Sequence, residues 1–155
     1  MFTDAVPYRD KCPLTVPISN PGKPLDLSFA AHDMLVVSKR LGAALDDVCG
    51  NQTQRIPVTV EGSEEPYEIL NILETAACLD EERSVVMYWG PEDDRPDKIG
   101  LYRMVAEIRI RPERLRDRDI LRIAGWPLAV IVSERVRAAI EASGFTGARF
   151  EDVGP

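Results

Sequence analysis

His32 is the only histidine among the 155 residues, so imidazole chemistry near neutral pH has a single residue to draw on. A Ser-His-Asp set would have to join it to Ser28, Ser38 or Ser133 as nucleophile. No Gly-x-Ser-x-Gly elbow occurs. Ser38 and Ser133 each stand just before an amphipathic segment, where a hydroxyl is used to cap a helix. His32, beside Asp33, reads as a surface or hydrogen-bonded side chain. A thiol nucleophile needs a depressed pKa and a nearby base. Cys49 falls at the C-terminal end of an expected helix, where the dipole disfavours a thiolate, and Cys78 lies in an apolar run that reads as core. Cys12, Cys49 and Cys78 are odd in number and widely spaced, which gives neither a disulfide framework nor zinc-ligand spacing and suits a reducing compartment.

Carboxylates are plentiful. Asp80-Glu81-Glu82 forms one group, and Glu92-Asp93-Asp94 with Asp97 forms another. The second could hold Ca²⁺ or Mg²⁺, but it lacks the turn glycine and closing glutamate of an EF-hand. A solvated acidic loop is the simpler reading. No phosphate-binding glycine loop is present, and nothing calls for a metal or another cofactor. Arg103, Arg109, Arg111, Arg114, Arg116, Arg118 and Arg122 are interleaved with Glu107, Glu113, Asp117 and Asp119, the mixture of a solvated strand face and a charged turn. What remains is a binding surface. Tyr88-Trp89-Gly90-Pro91 directly precedes the second acidic group, and aromatic anchors bordered by charge are the composition of a recognition patch. The candidate partner-binding residues are Tyr88, Trp89, Glu92, Asp93, Asp94 and Asp97, followed by Asp80, Glu81 and Glu82. The competing reading has Trp89 tucked into the core with the acids facing water. A small hydrolase using carboxylates or a divalent ion is the alternative function, and a regulatory homo-oligomer is another.

The elements that position these residues are legible in part. Leu35–Asp46 and Val130–Glu141 read almost alike, each an apolar strand-like run, then a serine, then an amphipathic helix. The first copy predicts a strand near Met34–Val37 and a helix from Lys39 to Val48, with Leu41, Leu45 and Val48 on one face and Gly50 as the stop. The second predicts a strand over Leu128–Val132 and a helix to Ala142, ended by Gly144 and Gly147. Arg55–Val60 and Ile120–Ile123 read as strands, and Gly125-Trp126-Pro127 as a turn. Leu101–Arg111 reads as a long strand with Tyr102, Met104, Ala106, Ile108 and Ile110 on its apolar face. Tyr67–Cys78 fits a helix or a strand equally well. Residues 79–100 read mostly as loop, and Ala148–Val153 as a closing strand. Pro7, Pro13, Pro17, Pro21 and Pro24 make residues 1–27 an extended irregular segment wrapped over the body. The expected fold is α+β, a mainly antiparallel sheet with two Ser-capped helices packed on it. Residues 1–155 are expected to form a single domain, 1–27 its Pro-rich segment and 28–155 its body.

The formal net charge is −7 and the charged fraction 29%. That balance disfavours direct nucleic-acid binding, which relies on clustered Lys and Arg, and favours a basic partner. No apolar run is long enough to span a membrane, and the first residues lack the basic and apolar regions of a secretory signal. A cytoplasmic protein is expected.

Several segments in order resemble a known family. Tyr67–Asn71 through Leu79–Ser84 forms its central motif, and Arg95–Tyr102 follows. Ile120–Trp126 is the strongest match, then Ile131-Val132-Ser133-Glu134, then Gly144-Phe145-Thr146-Gly147 with Phe150. Together they resemble the immunity proteins of bacterial polymorphic toxin systems, a family first catalogued as a domain of unknown function. The likeness covers roughly residues 33–153 and is weakest over the first thirty. It implies a non-enzymatic antidote that binds one cognate toxin domain. Toxins paired with such proteins often attack nucleic acid, so a basic nuclease domain is an implied partner. Gly125, Trp126, Ser133 and Gly147 read as architectural.

Overall fold

The computed structural model describes residues 2–154. The strands are β1 (Leu14–Val16), β2 (Leu27–Ala30), β3 (Met34–Ser38), β4 (Thr53–Val60), β5 (Tyr67–Ile72), β6 (Thr75–Ala76), β7 (Val85–Tyr88), β8 (Tyr102–Ala106), β9 (Ile120–Ile123) and β10 (Trp126–Val132). Helix α1 (Lys39–Cys49) follows β3, and α2 (Glu134–Ala142) follows β10. Five strands form one sheet in the order β1-β4-β5-β3-β2, antiparallel except for the β1–β4 pair. A second sheet has the order β10-β9-β6, and β7 and β8 form a two-stranded antiparallel ribbon. The fold is α+β, as the residues imply.

Alternation along the central strands sorts their side chains between two faces. Leu35 and Val37 of β3 and Leu70 and Ile72 of β5 meet Leu41, Leu45 and Cys49 of α1 and Val136 and Ile140 of α2. On the opposite face, Val36, Ile56, Val58, Tyr67 and Ile69 are covered by Phe2, Tyr8, Leu14 and Val16 of the Pro-rich segment. That segment, expected to be irregular throughout, is held by the β1–β4 ladder and by side-chain amides. Gln54 accepts from the Tyr8 amide at 2.8 Å and donates to the Tyr8 carbonyl at 2.9 Å, while Asn71, its cross-strand partner, donates to the Val6 carbonyl at 2.9 Å. With both faces covered, every residue of β5 is buried, which is why Tyr67–Cys78 carried no decisive period. It is a strand over Tyr67–Ile72, followed by the short β6.

The two similar segments are structural twins. Ser38 Oγ accepts from Leu41 N and donates to Asp26 Oδ1 at 2.8 Å; Ser133 Oγ accepts from Val136 N and donates to Asp119 Oδ1 at 2.6 Å. Arg40 and Arg135, each two residues past its serine, pair with the same aspartates. The serine amides donate to the carbonyls of Asp26 and Asp119 at 2.7 and 2.8 Å. Asp26 goes further, since its Oδ2 also accepts from Thr146 N at 3.0 Å and Thr146 Oγ1 at 3.1 Å. It ties β2, α1 and the chain after α2 to one carboxylate.

Four local expectations are corrected. The strand expected over Leu101–Arg111 ends at Ala106, because Glu107 takes a left-handed φ of 46°. Its buried residue is Val105, expected on the polar face, and Met104 faces solvent, while Tyr102 packs inward as expected, because the extra residue Arg103 breaks the alternation. Residues 79–100 contain strand β7. The expected turn at Gly125-Trp126-Pro127 lies one residue earlier: Ala124 and Gly125 make it, and β10 starts at Trp126, opposite Ile123. Ala148–Val153 forms no strand, though Phe150 packs on the helix-side core and the Val153 carbonyl accepts from Ile110 N at 2.9 Å.

Candidate functional site

The sequence candidates gather on and around the β7–β8 ribbon. Its register pairs Val85 with Ala106, Val86 with Val105, Met87 with Met104 and Tyr88 with Tyr102. The pairing shifts between Met87 and Tyr88, leaving Arg103 as the extra residue of a bulge. Trp89 N then donates to the Leu101 carbonyl at 3.0 Å, which extends the ladder by one pair. Strand alternation gives the ribbon two faces. Val86, Val105 and Tyr102 face inward onto a core that includes Cys78, Leu121, Ile123 and Ile131. Val85, Met87 and Met104 face outward and are 44, 47 and 37% exposed. Trp89 and Leu101 continue the outward row.

Tyr88 and Trp89, adjacent in sequence, therefore do different things. Tyr88 stacks at 5.4 Å on Tyr102, and both hydroxyls donate to Glu81, Tyr88 at 2.6 Å. Two phenolic donors, Tyr102 foremost, hold the Glu81 carboxyl below the usual carboxylate range. Burial, helped by the Glu81 carboxylate, pushes the Tyr102 phenol up to about 12. Trp89 is half-buried, with Lys98 Nζ and Arg103 Cζ each 5.0 Å from its ring. Arg103 also pairs with Asp93, whose Oδ2 accepts from Gly90 N at 2.8 Å. The indole is thus fixed by two cations, one of them itself anchored.

Much of the negative charge is engaged within the chain. Asp80 Oδ1 accepts from Glu82 N at 3.2 Å and from Arg111 Nη2 at 3.3 Å, and its backbone builds the turn into β7. Asp97 is paired with Arg95, whose guanidinium holds that carboxyl below its ordinary value. Glu82, Glu92 and Asp94 are exposed and have no ion-pair partner among the described residues. The structure brings Glu81 to Tyr88, and Asp93 to Trp89 through Arg103. It leaves Asp80 and Glu82 at the turn before β7, and Glu92, Asp94 and Asp97 in the loop between the strands.

Other reactive side chains are placed elsewhere. His32 is exposed, in a left-handed turn with φ 60°. The Ser38 and Ser133 hydroxyls are committed to their caps and aspartates. Burial pushes the Cys49 thiol up to about 11 and raises that of Cys78. Among the described residues, no group of three or more His, Cys, Asp or Glu side chains is arranged to hold a metal ion. No described helix is long and apolar enough to cross a membrane.

The sequence reading missed the apolar outer row of the ribbon. The available signal is Val85-Val86-Met87-Tyr88-Trp89, an apolar run with four strand-favouring residues among its five.

Compared with models of known families, residues 5–155 match the one described as "Immunity protein family (Imm11)". The match takes in nearly all of the Pro-rich segment. No curated protein matches the chain.

Proposed function

The chain belongs to the Imm11 immunity protein family, and from that premise we propose that it neutralises one cognate bacterial toxin domain by binding it and covering its working surface, without turnover. The whole-length family match is the observation that carries this reading. We place the contact on the β7–β8 ribbon and its flanks: Tyr88, Trp89, Glu92, Asp93, Asp94 and Asp97, with Asp80, Glu81 and Glu82 at the margin. Residues 1–155 act as one domain in this reading. Its setting is the cytoplasm, where the toxin would otherwise act.

A nanomolar complex corresponds to about −12.3 kcal/mol. An interface of roughly 1,600 Å² in total can supply that when a few anchors are fully desolvated. Trp89 suits the part of an anchor because Lys98 and Arg103 already restrict its ring, so less freedom is lost on binding. The chain's net charge of −7 favours a basic partner such as a nuclease domain, and attraction of that kind speeds encounter and weakens with salt. Co-expression with the toxin encoded by the adjoining gene tests the reading. Restored growth together with a purified one-to-one complex is expected. Continued killing, with no complex formed, would refute it.

A further inference from the structure

The outward face of the ribbon is a stronger feature of the surface than the acidic loop beside it. Val85, Met87 and Met104 form a contiguous row, because Met87 and Met104 are directly paired and Val85 stands two residues before Met87. Leu101, 55% exposed, lies beside Trp89 and prolongs the row. The inner face cannot exchange with the outer one, since Val86 and Val105 are locked into the core below. We infer that this row, with Trp89 at its end, is the centre of the toxin-binding surface, and that it receives an apolar projection of the toxin bordered by lysines or arginines. The inference rests on the reading of the chain as an immunity protein.

Three observations specify that occupant. The row exposes on the order of 400 Å² of apolar side chain, within the range of the largest patches on free monomers, which are often functional. That area is about half of one side of a standard interface, roughly 800 Å² per partner. It fits an apolar centre with a polar rim and falls well short of what an obligate homodimer buries. The rim supplies the second argument. Glu82, Glu92, Asp94 and Glu107 border the ribbon without an ion-pair partner among the described residues, against Arg83, Lys98 and Arg109 as the cations without one. A second copy docking through this face would set like carboxylates together on chains that each carry −7, whereas a basic rim complements them. Finally, two methionines at the centre give flexible, polarizable side chains that mould to a projecting partner group.

The test uses the full-length chain and, as probe, the purified toxin domain encoded by the adjoining gene, inactivated at its catalytic centre. Binding kinetics are measured for wild type, Met87→Lys, Met104→Lys and the double variant Glu92→Ala/Asp94→Ala. Both methionines are surface residues, so each lysine variant should melt near the wild-type temperature. Each is expected to lose about 30-fold or more in affinity, the scale of a hot spot, mostly through faster dissociation. The rim variant should chiefly slow association, and only at low salt. Nanomolar wild-type binding with both lysine variants within threefold would overturn this inference while leaving the immunity reading intact. No wild-type binding would overturn both. A wild-type dimer seen by sedimentation and dissociated by Met87→Lys would assign the face to a second copy and overturn the inference as well.

Discussion

Replacing Asp26 with alanine removes the most connected carboxylate in the fold, and its cost can be worked from its partners. Asp26 is buried and accepts from Ser38 Oγ, Arg40 Nε, Arg40 Nη2, Thr146 N and Thr146 Oγ1 at 2.8 to 3.1 Å. Arg40 is largely exposed and returns to water when released, so its loss adds little. The buried Ser38 hydroxyl and the Thr146 amide do not recover so easily, and each orphaned group costs about 1–3 kcal/mol. The expected destabilisation is about 3 kcal/mol, or roughly 9 °C in Tm for a chain of this size. The twin site gives an internal control. Among the described residues, the Asp119 carboxylate accepts only from Ser133 Oγ and Arg135 Nη1, so Asp119→Ala should cost about half as much. The assay is thermal and urea unfolding at pH 7, followed by a pH series. Hydrogen bonding from Arg40 above all holds the Asp26 carboxyl well below the ordinary aspartate range. Its contribution is therefore complete above the unfolded-state value near pH 4 and is lost as pH falls further, toward the folded-state value. Asp26→Asn should flatten the acid limb of the stability curve. Equal losses at the two sites, or an unchanged acid limb in Asp26→Asn, would refute the reasoning.

Other expectations follow from the same geometry. Gly147 has φ +96°, and a Cβ there would stand 2.0 Å from the Leu27 carbonyl oxygen, so Gly147→Ala should cost about 3 kcal/mol by urea unfolding, against near-neutrality for Gly22→Ala, whose Cβ meets open space. Arg122 is fully buried and donates to the carbonyls of Asp33 and Pro127; Arg122→Ala orphans both, and a loss of about 4 kcal/mol in chemical denaturation is expected from two such groups. Under a thiol reagent at pH 8, Cys12 should react within seconds while Cys49 and Cys78, both buried, wait for unfolding; mass spectrometry would show one adduct on the native chain and three in urea.

The parts of the fold that could be read in advance are those fixed by neighbours in sequence. Ser38 and Ser133 each sit between an apolar run and an amphipathic one, and the strand, cap and helix follow from local chemistry. What could not be read depends on distant partners. Asp26 has no local mark of its role, because Thr146 reaches it from 120 residues away. The acidic groups look like a free patch until Arg111 and Arg103, 31 and 10 residues along, are seen to occupy Asp80 and Asp93. Tyr88 and Trp89 look like one aromatic pair, and only the register and bulge of β7 and β8 send one to Glu81 and the other to Lys98 and Arg103. The length of β8 likewise turned on one backbone angle at Glu107, where a run of strand-forming residues gave no warning.

Neutralisation by covering has a stoichiometric signature that neither a chemical nor a regulatory mechanism shares. Titrating the active toxin domain with this protein, at toxin concentrations far above the dissociation constant, should give residual activity that falls in a straight line to zero at one equivalent. Activity should return when the complex is dissociated and the toxin recovered. Inhibition reached at a small fraction of an equivalent, or toxin recovered in a permanently altered form, would contradict the account.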